Sequence, residues 1–162
     1  MSRPDPDLAV TISILDRLID LNPDVTADPP ASRSQSVRQL KASLRRDLEW
    51  LLNTRRNPDE VPETYEELFR SLYNYGLPDV TSMGLNTPRD RQRLLRFIEQ
   101  TIEIFEPRLA GVRVRSVDSA NSGPRILRFQ IEGLLKMDPA PEQILFDTVL
   151  QLNSGEYQVK GN

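Results

Sequence analysis

Acid–base chemistry in this sequence would have to come from its carboxylates. Glu49, Glu66, Glu67, Glu99, Glu103 and Glu106 are the candidates. A glycoside-cleaving site needs two carboxyl groups close together, one with its pKa raised by burial. None of the six stands in a distinctive catalytic motif. With 24 acidic residues among 162, a pair is easily composed by chance, and ion-paired or solvated surface acids are the simpler reading. The sequence has no His and no Cys. That removes Ser-His-Asp and Cys-His triads, histidine bases, thiolate zinc sites and disulfides. Any catalysis would rest on carboxylates, Lys, Tyr or Ser, and neither a cofactor nor a metal is expected.

Arginines offer a second chemistry. Arg89, Arg93 and Arg96 share one helical face, with Arg91 near. A phosphate-tracking surface needs such a patch, usually beside aromatic side chains that stack on bases. Asp90, Glu99 and Glu103 interrupt this one, and aromatics make up 6% of the chain. A solvated helix face is therefore favoured.

The third chemistry is recognition. In Glu106-Pro107-Arg108 a carboxylate and a guanidinium flank a proline. The proline cannot donate a backbone hydrogen bond and disfavours helical angles at Glu106. An extended run would put both charged side chains on one side. Such a stiffened pair suits bidentate recognition of a partner's arginine or carboxylate. The plainer alternative is a helix end with a local ion pair.

The elements that must position these residues can be read from periodicity. The length fits one domain with one core. A net charge of −3 gives no overall pull towards nucleic acid or anionic membrane. Mean hydropathy is −0.49, and no apolar run approaches the roughly 18 residues of a membrane span. Met1–Asp7 has no apolar signal core, so no export signal is expected. Leu8, Ile12, Leu15, Leu18 and Ile19 mark a short amphipathic helix over about residues 10–20. That helix could pack on its own domain or dock in a partner's groove. Pro23, Pro29 and Pro30 make residues 21–35 a linker. Residues 1–35 are thus expected as a tail, short helix and Pro-rich linker, and 36–162 as a single α+β domain.

Ser36-Val-Arg-Gln39 reads as a capping box opening a helix that ends near Asn53, with Val37, Leu40, Leu44, Leu48, Leu51 and Leu52 as its apolar stripe. Tyr65, Leu68, Phe69 and Leu72 suggest a weaker helix over 65–73, stopped by Gly76. Thr87-Pro88-Arg89-Asp90 is a strong helix start, and Leu94, Leu95, Ile98, Thr101, Ile102 and Phe105 are its buried face. After Pro107 the period changes to two. Val112 and Val114, then Leu127, Phe129, Ile131, Gly133 and Leu135, then Ile144, Phe146, Leu150 and Leu152, then Tyr157 and Val159 define strands joined by short turns. The expected fold is α+β, with N-terminal helices packed on one face of a C-terminal antiparallel β-meander. The chain ends in strands with no later helix to cap them, and an open strand edge can accept a strand from another protein.

Four strings occur in order: Ser13-Ile-Leu-Asp-Arg-Leu18, Arg46-Asp-Leu-Glu-Trp-Leu-Leu-Asn-Thr-Arg55, Leu72-Tyr-Asn-Tyr-Gly-Leu-Pro-Asp79 and Phe105-Glu-Pro-Arg-Leu109. Together they resemble the TssE family, small baseplate proteins of type VI secretion systems related to the "lysozyme-like" wedge protein of contractile phage tails. The likeness covers nearly the whole chain from Leu8. It implies a cytoplasmic, non-enzymatic scaffold that sits beside TssF, TssG and TssK and primes assembly of the TssB–TssC sheath. It also implies that Glu106, Pro107 and Arg108 are the partner-binding residues that dock to the wedge core. The family label keeps open, as the alternative, a peptidoglycan hydrolase using paired carboxylates.

Overall fold

The computed structural model describes residues 13–19, 24, 32–59, 61, 62, 64–81, 85, 87–117 and 126–161. Leu8 and Ile12 of the first expected helix, most of the linker and the Ser119–Pro124 loop lie outside these residues.

Helix α1 (Ile14–Leu18) is capped by the Ser13 hydroxyl, which accepts from the Asp16 N–H. Its apolar side chains do not face the core: Ile14, Leu15, Leu18 and Ile19 are all exposed. Helix α2 (Arg33–Asn53) begins one turn earlier than the expected Ser36 cap. Ser32 and Gln35 make the capping box instead. The Ser36 hydroxyl turns back to donate to the Ser32 carbonyl at 3.1 Å. Two boxes of the same spacing compete here. The earlier one wins because it lengthens the helix and adds backbone hydrogen bonds. The stripe from Leu40 to Leu52 is buried as its spacing predicts, and Asn53 ends the helix.

The helix expected over 65–73 is not continuous. It is a single turn, α3 (Glu66–Phe69), followed by a 3-10 turn at Leu72–Asn74. The Ser71 hydroxyl accepts from the Tyr73 N–H, a local bond that competes with helix continuation. Leu68 and Leu72 are exposed in consequence. Helix α4 (Pro88–Phe105) starts at the Thr87 cap with Pro88 in its first turn and buries Leu94, Leu95, Ile98, Thr101 and Ile102.

Strands β1 (Leu109–Ser116), β2 (Ile126–Leu135), β3 (Glu142–Gln151) and β4 (Glu156–Gly161) form one antiparallel sheet in chain order. Along β2, Leu127, Phe129, Ile131, Gly133 and Leu135 are buried and alternate with partly or fully exposed residues. One sheet face therefore meets the helices. In β1 the register shifts between Ala110 and Arg113. Gly111 there has φ +59. This bulge lets Leu109 and Val112, three residues apart, both enter the core. Helix α4 packs on β1 and α2 on β4. No described helix is long and apolar enough to cross a membrane.

Candidate docking site at the Glu106–Arg108 corner

Glu106 ends α4, its N–H still donating to Ile102 O at 2.8 Å. Pro107 cannot donate and the helix stops. The next residues form a turn, the helix end with a local ion pair that was the plainer alternative: the Leu109 N–H closes back on Glu106 O at 3.0 Å. Lys136 at the far end of β2 pins the turn twice. Its N–H reaches Arg108 O at 2.8 Å and its Nζ reaches Pro107 O at 2.9 Å. The corner is thus fastened to both the helix and the sheet.

The turn still brings the two charged side chains together. Arg108 Nε donates to Glu106 Oε1 and Nη2 to Oε2, each at 2.6 Å. This is the parallel fork that guanidinium and carboxylate favour. The Glu106 side chain is 8% exposed and that of Arg108 24%. Arg108 Nη2 also donates to Asp47 Oδ2, 2.7 Å away on α2. The Glu106 hydrogen bonds push the Arg108 pKa up; burial works against this and Asp47 adds to it.

Asp47 extends the site. Arg46 donates to Asp47 Oδ1 through Nε and Nη2. Its Nη1 lies 2.9 Å from Asp16 on α1, and its guanidinium stacks 4.9 Å from the Trp50 ring centre. Charges therefore alternate from α1 to the corner: Asp16, Arg46, Asp47, Arg108, Glu106. Burial acts to raise the Asp16 pKa. The Ser13 hydroxyl, then Arg46, outweigh it and hold the carboxyl below its usual value. Tyr75 stands beside the corner, its ring edge-on to Phe105 at 5.3 Å between centroids. Burial first, then the Asp47 and Glu106 charges, raise its hydroxyl pKa.

Of the residues singled out by sequence, the structure joins Glu106 and Arg108 directly and adds Asp47, Arg46, Asp16 and Tyr75. Arg46-Asp47 lies inside one of the quoted strings, but no spacing ties it to Arg108. The other glutamates are dispersed. Glu99 accepts from Arg113 and from the Val114 N–H at the edge of β1. Glu66 and Glu67 are exposed on α3. Glu106 offers both its oxygens to Arg108, so neither is free to deliver a proton as a general acid must. Arg89, Arg93 and Arg96 are all exposed on α4, while neighbouring Asp90 is engaged by the Thr87 cap.

Helices on one face of a short antiparallel meander, with a partly buried ion-pair corner between them, define the class: an α+β protein. The chain belongs to a named family of that class: the family model for baseplate wedge protein gp25 matches residues 38–140, which include all of the corner. A solved structure described as the baseplate complex from the type VI secretion system is also similar. It is 18% identical, covers 70% of this chain and 96% of its own, and has a TM-score of 0.48. No curated protein sequence matches.

Proposed function

We propose that this protein is a non-enzymatic structural component of a type VI secretion baseplate wedge. It docks through Glu106, Pro107 and Arg108 onto TssF–TssG–TssK-type wedge proteins and primes assembly of a TssB–TssC-type contractile sheath in the cytoplasm. Family membership supports the wedge role. The observation that carries the docking role is the unfinished valence of Arg108. Its Nε and Nη2 are committed to Glu106 and Asp47, while Nη1 makes no hydrogen bond among the described residues. A held guanidinium with a free donor edge loses little entropy when a partner's carboxylate or carbonyl meets it.

The test is co-purification with TssF, TssG and TssK, with circular dichroism as the check on folding. Arg108→Ala should drop out of the complex, losing about 2–5 kcal/mol of binding if the contact is desolvated there. Because Arg108→Ala also leaves Glu106 buried without its partner, Arg108→Lys is the second variant. It keeps the charge but loses the fork. A folded Arg108→Ala protein that stays in the complex removes the docking role and leaves the corner a joint of the fold.

A further inference from the structure

Several arginines of this chain are held by the fold. Arg46, Arg55, Arg108, Arg113 and Arg115 each reach a carboxylate. Arg56 stacks 4.9 Å from the Phe97 ring centre, and Arg91 Nε donates to Leu85 O at 3.1 Å. Arg89, Arg93 and Arg96 have no such partner. All three are exposed on α4, and among the described residues none makes an ion pair, a side-chain hydrogen bond or a ring contact. Spaced four and three residues apart, they share one helical face.

Local physics opposes this arrangement. Like charges one turn apart on a helix repel. Arg89 also stands in the first turn, where the helix dipole is positive. The neighbouring acids do not reach the three guanidinium groups. Asp90 accepts from the Thr87 hydroxyl, while Glu99 accepts from Arg113 and from the Val114 N–H. A conflict with local rules that brings the free chain no compensating gain points to something outside the chain.

The limits of the face describe what that is. From Arg89 to Arg96 it extends about 10 Å along α4. Glu103 lies one further heptad along the same line, exposed, and ends the positive stretch. Phe97, the aromatic next to Arg96, is covered by Arg56, so the stacking that single-stranded nucleic acid uses is not offered there.

We infer that Arg89, Arg93 and Arg96 dock an acidic helix of a partner protein, whose carboxylates recur at matching three- and four-residue spacing. Planar guanidinium groups take carboxylates through two parallel hydrogen bonds. A two-turn acidic ridge matches the length of the face, and a longer one meets repulsion from Glu103. Glu106 lies about 15 Å beyond Arg96 along the helix axis and about 80° round it. The face is thus separate from the Glu106–Arg108 corner, and the inference does not rest on the docking role of that corner.

The probe is a labelled alanine-based helical peptide of about 18 residues, with glutamates on one face at three- and four-residue spacing. It is titrated into the full chain at low salt and followed by anisotropy and amide NMR. Shift changes should concentrate in residues 88–100. A peptide of the same composition with its glutamates spread round the helix should bind at least about tenfold more weakly. The triple substitution Arg89→Gln, Arg93→Gln and Arg96→Gln should weaken probe binding by a similar factor. Gln is close to Arg in helix propensity, so the variant keeps α4. Freed of the repulsion, it should melt above the wild type at low salt, with a difference that shrinks as salt screens the charges. Four results each overturn the inference: no perturbation of the face at about 1 mM probe, equal binding of the spread-charge peptide, binding that ignores the triple substitution, or a variant that melts at or below the wild type at low salt. Tighter binding of a single-stranded oligonucleotide of the same net charge also overturns it, by making the face a phosphate site.

Discussion

Asp47 and Arg108 stand 61 residues apart in the chain and 2.7 Å apart in the fold. The contact ties the middle of α2 to the turn after α4, so the two helices and the sheet share one ionic joint. Glu106 occupies the other side of the same guanidinium and is nearly excluded from water. Truncating Arg108 would leave that carboxylate buried without a counter-charge, whereas truncating Asp47 leaves the Glu106 fork intact. Urea unfolding should show Arg108→Ala losing about 3 kcal/mol and Asp47→Ala about 1 kcal/mol. Equal losses for the two would mean that Asp47, not Glu106, is the residue Arg108 serves.

The pH response of α1 follows from Asp16. Its folded-state pKa lies below the ordinary carboxylate value, so ionisation stabilises the docked helix. That contribution is complete above the unfolded-state value near 3.9 and is lost as pH falls through the lower folded value. Since Asp16 holds Arg46 and Arg46 stacks on the only tryptophan, Trp50 fluorescence should change on acidification below about pH 4 before the fold is lost. Asp16→Asn should abolish this early step. A variant that keeps the acid-induced change would place its origin elsewhere.

At Tyr157 the β4 edge is covered by one side chain. Asn53 donates to Tyr157 O, accepts from the Tyr157 N–H, and also donates to Glu49 O at 2.8 Å within its own helix. Asn53→Ala should cost about 2 kcal/mol, from unpaired polar groups at a half-buried edge. It should also speed amide exchange at Tyr157. Asn53→Asp retains the acceptor but not the donor and should fall between. Unchanged Tyr157 exchange in Asn53→Ala would show that water replaces the bridge without loss.

What could be read from sequence divides along contact range. The strands were legible because β2 and β4 bury every second residue, and Asn153-Ser-Gly155 marks the turn between β3 and β4. The α4 start was legible because Thr87 and Pro88 act within one turn of themselves. The Glu106–Arg108 pair was legible for the same reason, though as a turn and not an extended run. The α2 start was misplaced because Ser32 and Ser36 each precede a glutamine by three residues, and only the energy of the added helical turn chooses between them. The 65–73 segment failed where Ser71 offered its own hydroxyl to the backbone. Asp47 was invisible as a site residue, since it reads as one more polar residue on an amphipathic helix until the fold delivers Arg108 to it.

Gly76 and Gly111 give a paired test of why each glycine is there. Both have positive φ, at +103 and +59. At Gly111 an added Cβ would meet nothing within 4 Å. Gly111→Ala therefore pays only the left-handed backbone penalty, about 1 kcal/mol. At Gly76 the added Cβ would lie 2.3 Å from Thr54 O. That carbonyl accepts from the Leu77 N–H at 2.8 Å, and the Arg56 N–H donates to Leu77 O at 2.8 Å. The obstruction is backbone, so no rotamer change relieves it. Gly76→Ala must break the bridge that ties the end of α2 to the segment before Pro78. Its loss should be at least about 3 kcal/mol, among the larger values for a single substitution. Chemical unfolding of the two variants side by side decides it. Similar losses would mean that the Thr54–Leu77 bridge yields easily and that backbone strain alone accounts for both.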